Sequence, residues 1–209
     1  MIYKLKRTTY ILLGLLAYCT TVYGETRSTP QTILVWGDSL SAAYGMPIEQ
    51  GWVALMQQEL GQSVRVVNGS ISGETTVGGK TRLPEALNNF SPDLVIIALG
   101  GNDGLRGMSP QNMRSNLIDM IKLSRDVQAR VILVGIMLPP NYGPAYNSRF
   151  EQVFEDVAGE FELPYVPFLL EGVATDFELM QSDGIHPTAE AQKLILSNML
   201  PVVNKTLRN

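Results

Sequence analysis

The chain has 209 residues, 45% hydrophobic and 17% charged, which fits one globular domain and excludes a disordered, collagen-like or disulfide-dense class. Its 16 Lys+Arg against 20 Asp+Glu give a net charge of −4, so it has no electrostatic reason to bind nucleic acid or an anionic membrane surface. One cysteine (Cys19) and one histidine (His186) exclude a zinc site built from several such ligands.

The first residues read as a secretory signal peptide. Lys4, Lys6 and Arg7 give a positive start, Ile11 to Ala17 is a short apolar run, and Val22-Tyr23-Gly24 precedes a plausible cut. The run is too short to span a bilayer. A lipoprotein would need a small residue before Cys19, where Tyr18 stands. The expected division is therefore a leader over 1–24 and one domain over 25–209, exported to the periplasm or secreted, with no stable membrane insertion. Losing Lys4, Lys6 and Arg7 leaves 13 basic against 20 acidic residues, a net of −7. The mature chain then has no cysteine, so it needs no disulfide and has no thiol nucleophile.

Short apolar runs alternate with amphipathic stretches. Thr32 to Trp36 ends in Gly37-Asp38-Ser39, and Val64 to Val67 in Asn68-Gly69. Leu94 to Leu99 ends in Gly100-Gly101-Asn102-Asp103, and Val131 to Met137 in Leu138-Pro139-Pro140-Asn141. Pro164 to Val166 is a weaker fifth run. Continuous β-branched runs suit strands buried on both faces. Met113, Leu117, Met120 and Ile121 share a helical face, as do Phe150, Val153, Phe154, Val157 and Phe161, and Ala191, Leu194, Ile195 and Met199. Pro110 and Pro187 stand where first helical turns would begin. The pattern predicts an α/β sandwich with a parallel sheet of about five strands. Sites in such sheets lie beyond the carboxyl ends of the strands, so the four polar clusters are expected on one edge.

His186 lies in Asp183-Gly184-Ile185-His186-Pro187. An imidazole is the usual base for a hydroxyl nucleophile, and a carboxylate on its other nitrogen fixes the tautomer. Asp183 can do this if the loop folds back; the alternative is a surface turn with an incidental histidine. Ser39 follows a strand directly, as an exposed nucleophile or simply as a helix cap. No G-x-S-x-G elbow is present, since Gly69-Ser70-Ile71-Ser72-Gly73 centres on Ile. Gly73 offers a backbone N–H and Asn102 a side-chain amide to a developing oxyanion, although Asn102-Asp103-Gly104 also reads as an ordinary turn.

Together Gly37-Asp38-Ser39-Leu40, Gly73, Gly100-Gly101-Asn102-Asp103 and Asp183-Gly184-Ile185-His186-Pro187 resemble the SGNH (GDSL) hydrolase family. Asn68 to Thr75, Gly100 to Gly107 and Leu138 to Gly143 extend the resemblance to its bacterial periplasmic thioesterase I / protease I / lysophospholipase (arylesterase) branch. The resemblance implies a three-layer, flavodoxin-like α/β/α sandwich. It implies Ser39 as nucleophile, His186 as base and Asp183 as its partner. The oxyanion hole would be the N–H groups of Ser39 and Gly73 with the Asn102 side chain. The implied substrate is a small acyl ester or thioester, with no metal or organic cofactor, and a monomer is expected.

Substrate contacts are expected from segments 104–109 and 138–146. Leu105, Met108 and Tyr142 are the candidates. Tyr142 and Tyr146 either line the pocket wall or pack on the final helix. Arg106 either steers an anionic substrate or is solvated, and Asp38 is expected to organise the nucleophile's turn. A carbohydrate O-deacetylase uses the same catalytic set, and an acyl-lipid carrier could keep the fold without the reaction.

Overall fold

The computed structural model of the protein describes residues 30–208. The expected leader, 1–24, lies outside them. Five strands, β1 (Gln31–Gly37), β2 (Val64–Asn68), β3 (Leu94–Ala98), β4 (Arg130–Val134) and β5 (Tyr165–Val166), form one parallel sheet in the order β2-β1-β3-β4-β5. This is the flavodoxin-like order, whose strand sequence reverses between β1 and β3.

Six α-helices lie among the described residues: α1 (Trp52–Leu60), α2 (Thr76–Phe90), the short α3 (Gly101–Leu105), α4 (Pro110–Asp126), α5 (Pro144–Glu160) and α6 (Gln192–Arg208). Alternate strand residues feed opposite layers, as the two-residue period of a strand requires. Leu34 and Trp36, Val95 and Ile97, and Val131 and Leu133 pack with α2, α4 and α5. Ile33 and Val35, Leu94 and Ile96, and Ile132 and Val134 pack with α1 and α6. The result is the expected three-layer α/β/α sandwich. Its two cores explain why the strand sequences are apolar without alternation.

The structure corrects three local expectations. The fourth apolar run leaves the sheet at Val134, and Met137 is exposed. Gly135 N–H still donates to the Val166 carbonyl at 2.8 Å, and a Cβ there would stand 2.1 Å from the Pro167 carbonyl oxygen, so glycine permits this close approach to β5's continuation. Pro187 starts no helix. It pairs antiparallel with Met180, and α6 begins only at Gln192. Asn102-Asp103-Gly104 is not a simple turn but the body of α3.

Two helices outside the expected helical faces, α1 and α2, complete the layers. The face of α2 carries Thr76, Gly79, Leu83, Ala86 and Leu87, helical in spacing but only partly apolar. Gly79 lets α2 pack closely there: Trp36 Nε1 donates to its carbonyl at 3.1 Å, and a Cβ would stand 2.4 Å from the end of the Leu99 side chain.

A groove of about 760 Å³ opens at the amino-terminal edge of β4 and β5, lined in part by Arg125, Arg130, Tyr165 and Lys205. Its arginines are engaged with backbone. Arg125 donates to the Phe161 carbonyl at 2.6 Å and Arg130 to that of Thr206. Cations there satisfy exposed helix-end carbonyls.

Candidate active site

The carboxyl ends of β1, β2 and β3 meet at the point where strand order reverses. β1 delivers Asp38 and Ser39, the loop after β2 delivers Gly73, and the helix opening after β3 delivers Asn102. After Ser39 the chain makes one helix-like turn, in which Ala42 N–H donates to the Asp38 carbonyl at 2.9 Å and Tyr44 N–H to the Ser39 carbonyl at 3.3 Å. Asp38 is buried and organises this turn, as expected. Its Oδ1 accepts from Leu40 N–H at 3.1 Å and its Oδ2 from Asn102 Nδ2 at 3.3 Å. Burial dominates its titration and raises its pKa to about 6, against the lowering effect of the Leu40 bond.

The Asp183–His186 segment does fold back. Gln181 N–H donates to the His186 carbonyl at 2.7 Å, Thr188 N–H to the Leu179 carbonyl at 2.8 Å, and Met180 bridges Pro187. These contacts make a small antiparallel hairpin with Asp183 and Gly184 at its tip, where Gly184 takes φ +66°. Asp183 Oδ1 accepts from the N–H groups of Ile185 at 2.9 Å and His186 at 3.0 Å. Its Oδ2 lies 2.6 Å from His186 Nδ1. Desolvation pushes the Asp183 carboxyl up, but the bonds from the His186 amide, the His186 ring and Ile185 outweigh it and bring its pKa to about 2. An ionised Asp183 accepts, so Nδ1 carries the proton and Nε2 is left with its lone pair. That nitrogen is 2.8 Å from Ser39 Oγ.

The three groups expected to hold an oxyanion differ in their present partners. Among the described residues, neither the Ser39 nor the Gly73 N–H donates to a protein acceptor. Gly73 needs its glycine for backbone reasons. Its φ is +77°, while an added Cβ would meet nothing closer than Arg106 at 3.9 Å. The Asn102 amide donates to the Glu74 carbonyl at 3.0 Å as well as to Asp38. The Glu74 bond fixes which end of the amide faces the site. Behind it, Asp103 accepts from Thr76 N–H at 2.8 Å and Thr76 Oγ1 at 2.5 Å, and Asn116 donates to Thr76 Oγ1 at 3.1 Å. This buried network joins α3 to α2 and α4.

Of the other candidates, Leu105, Tyr142 and Tyr146 lie at the edge of the first core, while Met108 is half-buried beyond α3. Leu105 and Tyr142 both pack partly against that core, and Tyr142 donates to the Leu105 carbonyl at 2.8 Å. Tyr146 donates to the Met108 carbonyl at 2.8 Å. Neither tyrosine packs on α6, which lies across the sheet in the other core. Arg106 donates to the Gly73 carbonyl at 3.0 Å, so it is tied to the loop after β2 and not simply solvated. Sequence reasoning passed over Tyr44 and Gln181. The Tyr44 ring lies 4.3 Å from the His186 ring, and Gln181 donates to both Tyr44 and Pro187.

A serine, an imidazole with a free lone pair, a buttressing carboxylate and convergent N–H donors form an arrangement suited to acyl transfer. Residues 35–194 match the GDSL-like Lipase/Acylhydrolase family. The chain belongs to this family. Esterase TesA of Pseudomonas aeruginosa is 50% identical over 184 residues, covering 87% of this chain and 92% of that protein. Thioesterase 1/protease 1/lysophospholipase L1 of Escherichia coli K12 is 41% identical over 177 residues, covering 83% and 85%. The crystal structure of the psychrotrophic esterase EstA from Pseudoalteromonas sp., inhibited by monoethylphosphonate, superposes with a TM-score of 0.81 at 40% identity, covering 86% of this chain and 100% of that one. This acylhydrolase is an SGNH-type serine hydrolase of the esterase/thioesterase class.

Proposed function

We propose that Ser39 is the nucleophile of a two-step hydrolysis of small acyl esters and thioesters, with His186 as base and Asp183 as its partner. The observation that carries this reading is the single line of contacts Asp183–His186–Ser39, at 2.6 and 2.8 Å. Ser39 Oγ bonds to the acyl carbon as its proton passes to His186 Nε2. The oxyanion is held by the N–H groups of Ser39 and Gly73, and Asn102 exchanges its long contact to Asp38 for the new anion. His186 then protonates the departing alcohol or thiol. Water adds to the acyl carbon as its proton passes to the same nitrogen, and that proton returns to Ser39 Oγ as the acyl–oxygen bond breaks and the acid leaves.

Leu105, Met108 and Tyr142 border the acyl group in this reading. What supports it is their place on the segments next to Asn102 and the hydrogen bond that joins Tyr142 to Leu105. The names of the relatives support aryl esters, acyl thioesters and lysophospholipids as substrates. Residues 1–24 direct export to the periplasm and are then removed, and the enzyme acts as a monomer.

The test is hydrolysis of p-nitrophenyl esters of increasing acyl length by wild type and Ser39→Ala, beside an acyl thioester, a lysophospholipid and acetylated xylan. Wild type is expected to turn over esters and thioesters, and Ser39→Ala to lose nearly all activity. Substantial turnover by purified Ser39→Ala would overturn the assignment. Preference for acetylated xylan would make the enzyme a deacetylase.

A further inference from the structure

We propose that Gln181 is a positioning residue whose side-chain amide clamps the His186 hairpin to the Ser39 turn and so sets the imidazole–hydroxyl distance. The inference rests on the roles assigned above to Ser39 and His186.

The triad is held together unevenly. Asp183 and His186 share one hairpin, so their contact is local. Ser39 stands 147 positions from His186, on another element. The 2.8 Å bond between them is the one to be made and broken during reaction, so it is a poor structural tether. Gln181 supplies a tether that the reaction leaves alone. Its Nε2 has two N–H groups, one donating to the Tyr44 carbonyl at 2.9 Å and the other to the Pro187 carbonyl at 3.0 Å. Tyr44 closes the turn that Ser39 opens, and Pro187 follows the base directly. One amide thus spans the nucleophile's turn and the residue beside the base. The ring contact between Tyr44 and His186 lies along the same seam.

Gly45 makes room for this amide. A Cβ there would lie 2.4 Å from Gln181 Oε1 and 3.0 Å from both Cδ and Nε2. Gly45 also takes φ +76°, so glycine is favoured by conformation and by the space the clamp occupies. Two neutral hydrogen bonds at a partly exposed site add little to folding stability. Positioning is more sensitive, because a displacement of about 1 Å at a catalytic group can lower the rate roughly 100-fold. The clamp should therefore show itself in turnover and not in folding.

Gln181→Met keeps the side-chain length and the hairpin's main-chain bonds but removes both donors. On a short-chain p-nitrophenyl ester its kcat is expected to fall roughly 10- to 100-fold with KM within about twofold. Inactivation by a phosphonate should slow in parallel, and the melting temperature should stay near wild type. Gln181→Glu places a carboxylate oxygen against the same two carbonyls. Its kcat relative to wild type should fall as pH rises and that carboxyl ionises, a trend a purely structural role would not produce. Wild-type kcat in Gln181→Met, a rise in KM alone, or a loss matched by the unfolded fraction would each overturn the clamp. Ser39→Ala is measured alongside. If it is inert while Gln181→Met is fully active, only the clamp fails; if it is active, the assignment of Ser39 fails.

Discussion

The Asn102 amide donates to the Glu74 carbonyl at 3.0 Å, which ties the start of α3 to the segment carrying Gly73. Two of the three proposed oxyanion donors are therefore tied into one unit. Truncating Asn102 removes a donor and also unlocks this unit. Asn102→Ala is expected to lower kcat roughly 10²–10³-fold, the usual consequence of deleting one such donor. Steady-state kinetics on a p-nitrophenyl ester checks this, and a change confined to KM would contradict it.

Asp38 and Asp183 should give opposite slopes of stability against pH. Burial raises the Asp38 pKa from 3.8 to about 6, so the folded state binds that proton more tightly than the unfolded chain. Its contribution is fully present below pH 4 and is lost as pH rises through about 6, a range worth on the order of 3 kcal/mol. Asp183 is shifted down to about 2, so its contribution is present above about pH 4 and is lost as pH falls through 2. Melting curves of wild type and Asp38→Asn between pH 4 and 7 test the first slope. The variant should gain on wild type as pH rises, and parallel curves would refute the assignment.

Gly73 and Gly104 are glycines for different reasons, and alanine should separate them. At Gly73 the penalty is conformational, roughly 1–2 kcal/mol for a left-handed alanine, and it falls on a proposed oxyanion donor. Gly73→Ala should therefore lose kcat out of proportion to stability. At Gly104 a Cβ would meet Leu138 at 2.6 Å and Phe150 at 2.7 Å, an overpacking defect of roughly 1–3 kcal/mol. Denaturant titration beside kinetics distinguishes the two.

Thr76→Val tests the network behind Asn102. The change keeps the side-chain shape but leaves buried Asp103 without its hydroxyl partner and Asn116 without its acceptor. A loss of roughly 1–3 kcal/mol is expected. Thermal unfolding reads it directly, and a neutral outcome would show that the network carries no net stability.

Much of this architecture was legible because both faces of the sheet are buried. Strands such as Leu94–Ala98 have no solvent side, so their sequences stand out as unbroken apolar runs. Helix α2 was hidden because Thr76 and Gly79 occupy its buried face and Pro84 interrupts its pattern. The tertiary demand for close contact with Trp36 overrode local propensity there. At the site, the residue types announced acyl transfer, and the only histidine allowed no other base. What the sequence could not convey were contacts made through backbone carbonyls. Gln181 acts on the Tyr44 and Pro187 carbonyls, and Asn102 on that of Glu74, and carbonyls look alike in every sequence. The hairpin at Asp183 was equally obscure, because Pro187 reads as a helix start until its pairing with Met180 is seen.

The order in which the site is assembled along the chain has its own consequence. Ser39, Gly73 and Asn102 all precede the midpoint, while Asp183 and His186 arrive just ahead of the last helix. That helix also closes the second core, where Ile195, Met199 and Val203 are wholly buried and Gln192 accepts from the Trp52 N–H at 3.0 Å. A chain truncated before this segment lacks the proposed base and the wall of the sandwich at once. By the roles proposed above, hydrolysis requires the segment that carries Asp183 and His186, so a product truncated before it has no imidazole with which to activate Ser39.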